Sequence, residues 1–277
     1  MKIVIIGMGV IGGGYAMALN EAGYKEIYGV DINIETLEKA KSLGLIKEGY
    51  LEEAEIISKA DLVILSIYPN SIKNFIIKNK NNFKSNSIIT DVVGIKQLYI
   101  NDVIDILPED VDFVFAHPMA GREKKGINYA TSEVFKGANF IITTIDKNKE
   151  ENLVFIEKLA YDMGFKSVKR ICPKYHDEII AFTSQLPHVI AVALTNSDVE
   201  ERETGKFVGD SYKEMTRIAN MNESLWSQLF LGNKENLLKA IYNFQQELDK
   251  IKVCIEEDKK EELEELFMKS SRRRERL

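Results

Sequence analysis

One turn near the start of the chain constrains its fold more than any other feature. Lys2 to Ile6 form an apolar, β-branched run that reads as a buried strand. It passes directly into Gly7-Met8-Gly9-Val10-Ile11-Gly12, after which Ala16, Leu19 and Ala22 recur at helical spacing. A strand, a glycine turn and a helix in that order bring the helix N-terminus, with its unpaired N–H groups and positive dipole end, to where a phosphate can sit. The first glycine permits the turn, the second lets the backbone approach a pyrophosphate, and the third lets helix and strand pack closely. Gly7, Gly9, Val10, Ile11 and Gly12 are therefore the expected contacts of a dinucleotide. The next strand ends in Gly29-Val30-Asp31. A carboxylate at that spacing hydrogen-bonds the adenosine ribose hydroxyls and repels a 2′-phosphate, so Asp31 favours NAD over NADP. Its plainer role would be to cap the helix that follows Asn33.

The rest of the first half repeats the same alternation. Strands are predicted at 2–6, 26–30, 62–67, 87–91, 113–116, 139–143 and 166–171, most of them separated by helical patterns. This is the signature of an α/β Rossmann domain with a mostly parallel sheet, expected over residues 1–172. The strand at 62–67 runs into Ser66-Ile67-Tyr68-Pro69 at the carboxyl edge, where such sheets bind ligands, so Ser66 and Tyr68 are expected to line the nicotinamide side. Asp91, ending its own strand, joins the cofactor-facing set. After Pro173 the strand signals stop and helical spacing takes over, which predicts an all-α second domain over 173–277. Its clearest helix carries Leu237, Leu238, Ile241, Phe244, Leu248, Ile251 and Ile255 on one stripe. Packing inside the domain would cover that stripe, and so would a second copy in a homodimer. The acidic block after Glu256 and the run Arg272 to Arg274 read as a solvated helix end or frayed tail.

Composition removes several classes of function. A net charge of −6 disfavours nucleic acid and anionic lipid as partners. Cys172 and Cys254 lie far apart without metal-type spacing, so neither a disulfide framework nor a metal site is expected, and both read as buried small hydrophobes. With no run of 18 apolar residues and no cleavage site after the first strand, the chain is expected to be cytoplasmic, with a small molecule as substrate.

Three histidines narrow the chemistry. His117 follows the strand Phe113 to Ala116 and opens His-Pro-Met-Ala-Gly, so it should project from a carboxyl strand end toward the cofactor crevice as a general base. A buried histidine satisfied by a carbonyl is the alternative. His176-Asp177 and His188 lie where the helical half begins, twelve residues apart, which fits no metal pair on one helix face. Arg217, in a segment that otherwise reads as core, is expected either to pair on the surface or to hold a substrate carboxylate bidentately.

Assembled in order, these residues resemble the prephenate dehydrogenase family, which includes the arogenate and cyclohexadienyl dehydrogenases of tyrosine biosynthesis. The resemblance rests on Gly7 to Gly12, Thr90-Asp91, His117-Pro118-Met119-Ala120-Gly121 with Glu123 and Gly126, His176-Asp177, Ser184-Gln185-Leu186-Pro187-His188, Thr216-Arg217-Ile218-Ala219, Leu225-Trp226 and Asn233. It implies a Rossmann domain followed by a helical dimerisation domain, and NAD-dependent oxidative decarboxylation of prephenate or arogenate. It also implies that His117 accepts the ring hydroxyl's proton, Arg217 anchors a carboxylate, and His188 and Gln185 contact substrate. Two positions depart from the family pattern. Gly94 stands where a serine is common, and Gln185 where a histidine is common. Other readings are a hydroxyacid dehydrogenase or imine reductase of the same plan, and a nonenzymatic NAD-binding regulatory protein.

Overall fold

The fold is taken from a computed structural model that describes residues 1–122 and 124–276; Glu123, quoted above with the His117 block, lies outside them, as does Leu277. The chain divides into two compact units, Met1–Asn233 and Lys234–Leu277.

The first unit is built on an eight-stranded sheet. In chain order its elements are β1 (Ile3–Ile6), α1 (Val10–Glu21), β2 (Ile27–Val30), α2 (Ile34–Ser42), β3 (Glu48–Tyr50), α3 (Ala54–Ile57), β4 (Leu62–Leu65), α4 (Pro69–Asn79), β5 (Ile88–Asp91), α5 (Ile100–Ile106) and β6 (Asp112–Pro118). They continue with β7 (Asn139–Thr143), α6 (Glu150–Asp162), β8 (Ser167–Ile171), α7 (Pro173–Ile180), α8 (Leu186–Asn196), α9 (Asp210–Thr216) and α10 (Glu223–Gly232). The strand order is β3-β2-β1-β4-β5-β6-β7-β8. Every pairing is parallel except β6 with β7. The chain thus turns back at the strand that carries His117.

Strand geometry sends alternate side chains to opposite faces, and because both faces are covered the strands read as continuous apolar runs. Ile3 and Ile5 of β1 join Ile27, Leu62, Ile64, Val114 and Ala116 in one core, with α1 and α6. Val4 and Ile6 join Val63, Leu65, Ile89, Phe113 and Phe115 in the other, with α3, α4 and α5. Leu229 of α10 is part of that second core, and Leu225 and Trp226 pack on it. Part of the helical segment after Pro173 is therefore built onto the sheet.

All seven predicted strands are present. The eighth, β3, was not foreseen: Glu48-Gly49-Tyr50 is too short and too polar to carry a strand signal, and it forms by adding to the edge of β2. His117 lies inside β6 rather than beyond it, paired with Ile141 of β7. Cys172 is exposed just ahead of α7, not buried, whereas Cys254 is buried.

Residues 173–196 form one continuous helical segment in which a π turn, Ala181–Gln185, joins α7 to α8. Pro187 explains the turn: it has no N–H for the carbonyl four residues back and its ring crowds that carbonyl, so the helix widens ahead of it. By length and composition this segment is long and apolar enough to cross a membrane. Its buried His176, Asp177 and Gln185 are instead hydrogen-bonded within the first unit.

The second unit is a helical hairpin of α11 (Lys234–Glu256) and α12 (Lys260–Arg274). The stretch read as a solvated helix end or frayed tail forms a helix of its own, with Glu261 and Glu262 in its first turn and Arg272 to Arg274 in its last, as the helix dipole favours. Of the α11 stripe, Leu237 is buried, but Leu238, Phe244, Leu248 and Ile255 are exposed.

At Gly12 a β-carbon would fall 1.9 Å from the carbonyl oxygen of Gly7, a backbone atom held by the turn. Gly12→Ala is expected to destabilise the protein by about 1–3 kcal/mol, as overpacking does. Urea unfolding of the two proteins checks this, and an unchanged midpoint would contradict the close packing.

Candidate functional site

The glycine turn leaves a cradle above α1. Gly7 has a φ of +90°, which a side chain resists, and a β-carbon there would lie 2.3 Å from the Ser66 carbonyl oxygen. Gly9 is different, because a β-carbon there would meet nothing within 4 Å. Gly9 also precedes α1 without a side-chain cap, so the first N–H groups of the helix, from Val10 onward, face that open space. The arrangement fits a pyrophosphate. Asp31 sits beside it: its Oδ2 accepts the Met8 N–H at 2.8 Å, its Oδ1 accepts that of Asn33 at 3.0 Å, and Asn33 itself caps α2. Ser66 follows β4 at the same edge and is half-buried, while Tyr68 is exposed and its hydroxyl accepts from Asn222 Nδ2 at 3.1 Å.

Asp91, expected to face the cofactor, lies beneath the site instead. It is fully buried, and intramolecular donors take up its carboxylate: the Ala116 N–H on Oδ1, and the Val93 N–H, the Tyr99 hydroxyl and Lys96 Nζ on Oδ2. Lys96, which was not singled out from the sequence, is equally buried. Its Nζ lies 2.5 Å from Asp91 Oδ2, 2.9 Å from the Val93 carbonyl and 2.6 Å from the Ala116 carbonyl. Three acceptors that cannot donate require the three protons of an ammonium. Burial pushes Lys96 below its ordinary value while Asp91 pulls it back up. Burial and Asp91 raise Tyr99 well above the usual phenol range, so it stays protonated and donates.

His117 lies within β6, one residue after Ala116. Its Nδ1 lies 3.0 Å from Nε2 of His176, whose Nδ1 lies 2.7 Å from Asp177 Oδ1. Asp177 also accepts the N–H groups of Lys96 and Gln97, each at 2.8 Å. Burial, then His176, then Lys96 push His117 well below its ordinary value. Burial likewise lowers His176, against the pull of Asp177. His117 is thus a neutral imidazole near pH 7. A β-carbon at Gly94 would lie 3.4 Å from His117 Nε2, so that nitrogen borders a position without a side chain.

Gln185, expected at the substrate, is a buried lock. Its Nε2 donates to the Leu229 carbonyl and its Oε1 accepts from Asn233 Nδ2, which also reaches the Asp177 carbonyl. These bonds tie the π turn to α10. His188 is half-buried, with Nδ1 2.9 Å from the Ser184 carbonyl and its ring stacked on Trp226 at 3.6 Å. Arg217 follows α9 on a 3₁₀ turn and is exposed; no residue of either element is buried, so the segment is not core as its spacing suggested. Among the described residues, no group of three or more His, Cys, Asp or Glu is placed to hold a metal ion.

Two family models match the chain. The model of the prephenate dehydrogenase nucleotide-binding domain matches residues 15–169, and that of the prephenate dehydrogenase dimerization domain matches residues 172–269. The chain belongs to the prephenate dehydrogenase family. Prephenate dehydrogenase of Bacillus subtilis is 27% identical over 96% of this chain and 73% of its own length. Cyclohexadienyl dehydrogenase of Zymomonas mobilis is 26% identical over 98% and 94%. A crystal structure of Aquifex aeolicus prephenate dehydrogenase in complex with hydroxyphenyl propionate and NAD+ superimposes with a TM-score of 0.91 at 32% identity, covering 100% of this chain and 98% of that one. Synechocystis arogenate dehydrogenase, at 24% identity, shares the fold.

The buried network beneath His117 bears on stability in two ways. Lys96→Met leaves the Asp91 carboxylate buried without its cation and is expected to cost about 3–5 kcal/mol in urea unfolding; a loss under 1 kcal/mol would show that the pair is dispensable. His117 and His176 are neutral in the fold but take up protons near pH 6.5 once unfolded, so stability is fully present above that pH and is lost as pH falls below it. Unfolding free energy at pH 5.5 is therefore expected to be lower than at pH 7.5, with a smaller difference in His117→Asn; equal differences in the two proteins would contradict the assignment.

Proposed function

We propose that this protein is an NAD-dependent prephenate dehydrogenase, with His117 as the proton acceptor. The observation that carries the reading is the placement of His117 at the end of β6, with Nδ1 3.0 Å from His176 Nε2 and Nε2 beside position 94, which carries no side chain. The relatives named above are prephenate and cyclohexadienyl dehydrogenases, and the Aquifex structure is a complex with hydroxyphenyl propionate and NAD+.

Gly7, Gly9 and Gly12, with the first turn at Val10 and Ile11, would hold the pyrophosphate, Asp31 the adenosine ribose, and Ser66 and Tyr68 the nicotinamide side. NAD, when bound, supplies the hydride acceptor. His117 Nε2 takes the proton of the ring hydroxyl as the hydride leaves the same carbon. Loss of carbon dioxide then makes the ring aromatic and draws the reaction forward, so the protein has mainly to orient that carbon and take the proton. Arg217 anchors a substrate carboxylate, and His188, stacked on Trp226, is a second substrate contact. Catalysis and cofactor binding are assigned to residues 1–172, and dimerisation with part of substrate binding to 173–277. The exposed apolar stripe of α11 and the match to a dimerization domain support a homodimer.

The test is NADH formation by purified protein with NAD and either prephenate or arogenate. Turnover of prephenate is expected; preference for arogenate would keep the chemistry and change the substrate, and silence with both would overturn the reading. His117→Asn is expected to lower kcat at least about a hundredfold while NAD still binds, in keeping with the loss of a positioned base. Arg217→Ala should raise the KM for prephenate about ten- to a hundredfold, the range of a charge-assisted contact, and barely move that for NAD. Equal small effects on both would reduce Arg217 to a surface charge.

A further inference from the structure

We propose that Asp177 and His176 are positioning residues that hold His117 in the tautomer protonated at Nδ1, leaving Nε2 as the proton acceptor. The inference rests on the reading of His117 as the base and adds how that base is prepared.

The order of donors and acceptors carries it. An ionised Asp177 can only accept, and it already takes two backbone N–H groups at 2.8 Å, those of Lys96 and Gln97. His176 Nδ1, 2.7 Å from Asp177 Oδ1, must therefore donate. A neutral imidazole has one N–H, so His176 Nε2 is left as an acceptor. His117 Nδ1, 3.0 Å from it, must then be the donor, and the lone pair of His117 falls on Nε2.

The surroundings keep the chain of bonds in this state. His176 and Asp177 are fully buried, and the charged groups that face them are Asp91 and Lys96, which form a pair of their own. Lys96 disfavours a second cation at His176, and burial does the same. The two rings meet edge to face, with centroids 5.2 Å apart, so the His117 ring is fixed in direction as well as in tautomer. When Nε2 takes the substrate proton, the substrate O–H bond breaks and an N–H bond forms. The charge that appears on His117 is shared through Nδ1–H with His176 and offset by the Asp177 carboxylate. A histidine, an acceptor behind it and a buried carboxylate that sets the tautomer repeat the logic of a catalytic triad, with a second histidine inserted.

The experiment is nitrogen-15 NMR of histidine-labelled protein at pH 7.5, where only three imidazoles need assignment. In the unmodified protein His117 is expected to be protonated at Nδ1; protonation at Nε2 would overturn the proposal without any variant. His176→Phe removes the acceptor, so His117 is expected to shift toward the Nε2-protonated tautomer. Its kcat should fall about ten- to a hundredfold, a part of the ~10²–10⁴ that a positioned base supplies, with the KM for NAD within about twofold. His176→Gln, whose Oε1 can accept from Nδ1, should keep the tautomer and recover most of the rate. Equal loss in the two variants with the tautomer unchanged would reduce His176 to a packing residue and overturn the proposal. The expected tautomer in a protein that turns over neither prephenate nor arogenate would support the positioning pair and sink the functional reading instead.

Discussion

The buried pair of Asp91 and Lys96 is the constraint on which the site depends. β5 and β6 are paired only from Ile88 with Asp112 to Thr90 with Val114, so beyond that point β6 has lost its neighbour on one side. Asp91 Oδ1 takes the Ala116 N–H and Lys96 Nζ donates to the Ala116 carbonyl, which replaces the missing ladder with a side-chain clamp. β7 holds the other side, pairing Phe115 to Pro118 with Thr143 to Phe140. His117 therefore stands on backbone fixed from both directions, one residue past the clamp. A buried ion pair is a weak source of net stability, because the desolvation of two charges offsets most of their attraction. Its contribution here is position. The same lysine carries the loop over to the helical segment, since its N–H and that of Gln97 end on Asp177.

The clamp and the histidine chain are one device. Asp177 is held by the loop that Lys96 anchors, and His176 is held by Asp177. Gln185 and Asn233 extend the network to α10, where Leu229 reaches the sheet core. Displacing any of these polar groups would leave a buried donor or acceptor without a partner, at a penalty of about 1–3 kcal/mol each. The rigidity that a proton acceptor needs is in this way shared across β5, β6, the π turn and α10.

Much of this architecture was legible from the residues, because period is a strong signal where strands are buried on both faces. The seven strands, the glycine turn and the switch to helices at Pro173 all rest on such local patterns. β3 escaped because an edge strand of three residues, Glu48-Gly49-Tyr50, has no pattern of its own, and α12 as a separate helix because its charges resemble a solvated helix end or tail. The misplaced residues share a different cause. Asp91 ends a strand and Gln185 closes the π turn, and nothing in the sequence says whether a polar side chain there faces a ligand or an internal partner. Lys96 offered one hint: a lysine beside Val92, Val93 and Ile95, five residues after an aspartate, is a cation in an apolar stretch that must find an anion. The link from His117 to Asp177 offered none, because its members lie 59 and 60 positions apart.

The glycine at position 94 gains its meaning from the same geometry. The resemblance leads one to expect a serine there, and a β-carbon at that position would sit 3.4 Å from His117 Nε2. A hydroxyl attached to it would come close to Nε2, the nitrogen proposed to receive the substrate's proton. The contact with His176 orients the ring from the other nitrogen, Nδ1. With His176 and Asp177 behind His117, a hydroxyl at 94 is not required to set the tautomer. The departure at 94 is in this way compatible with the role proposed for His117.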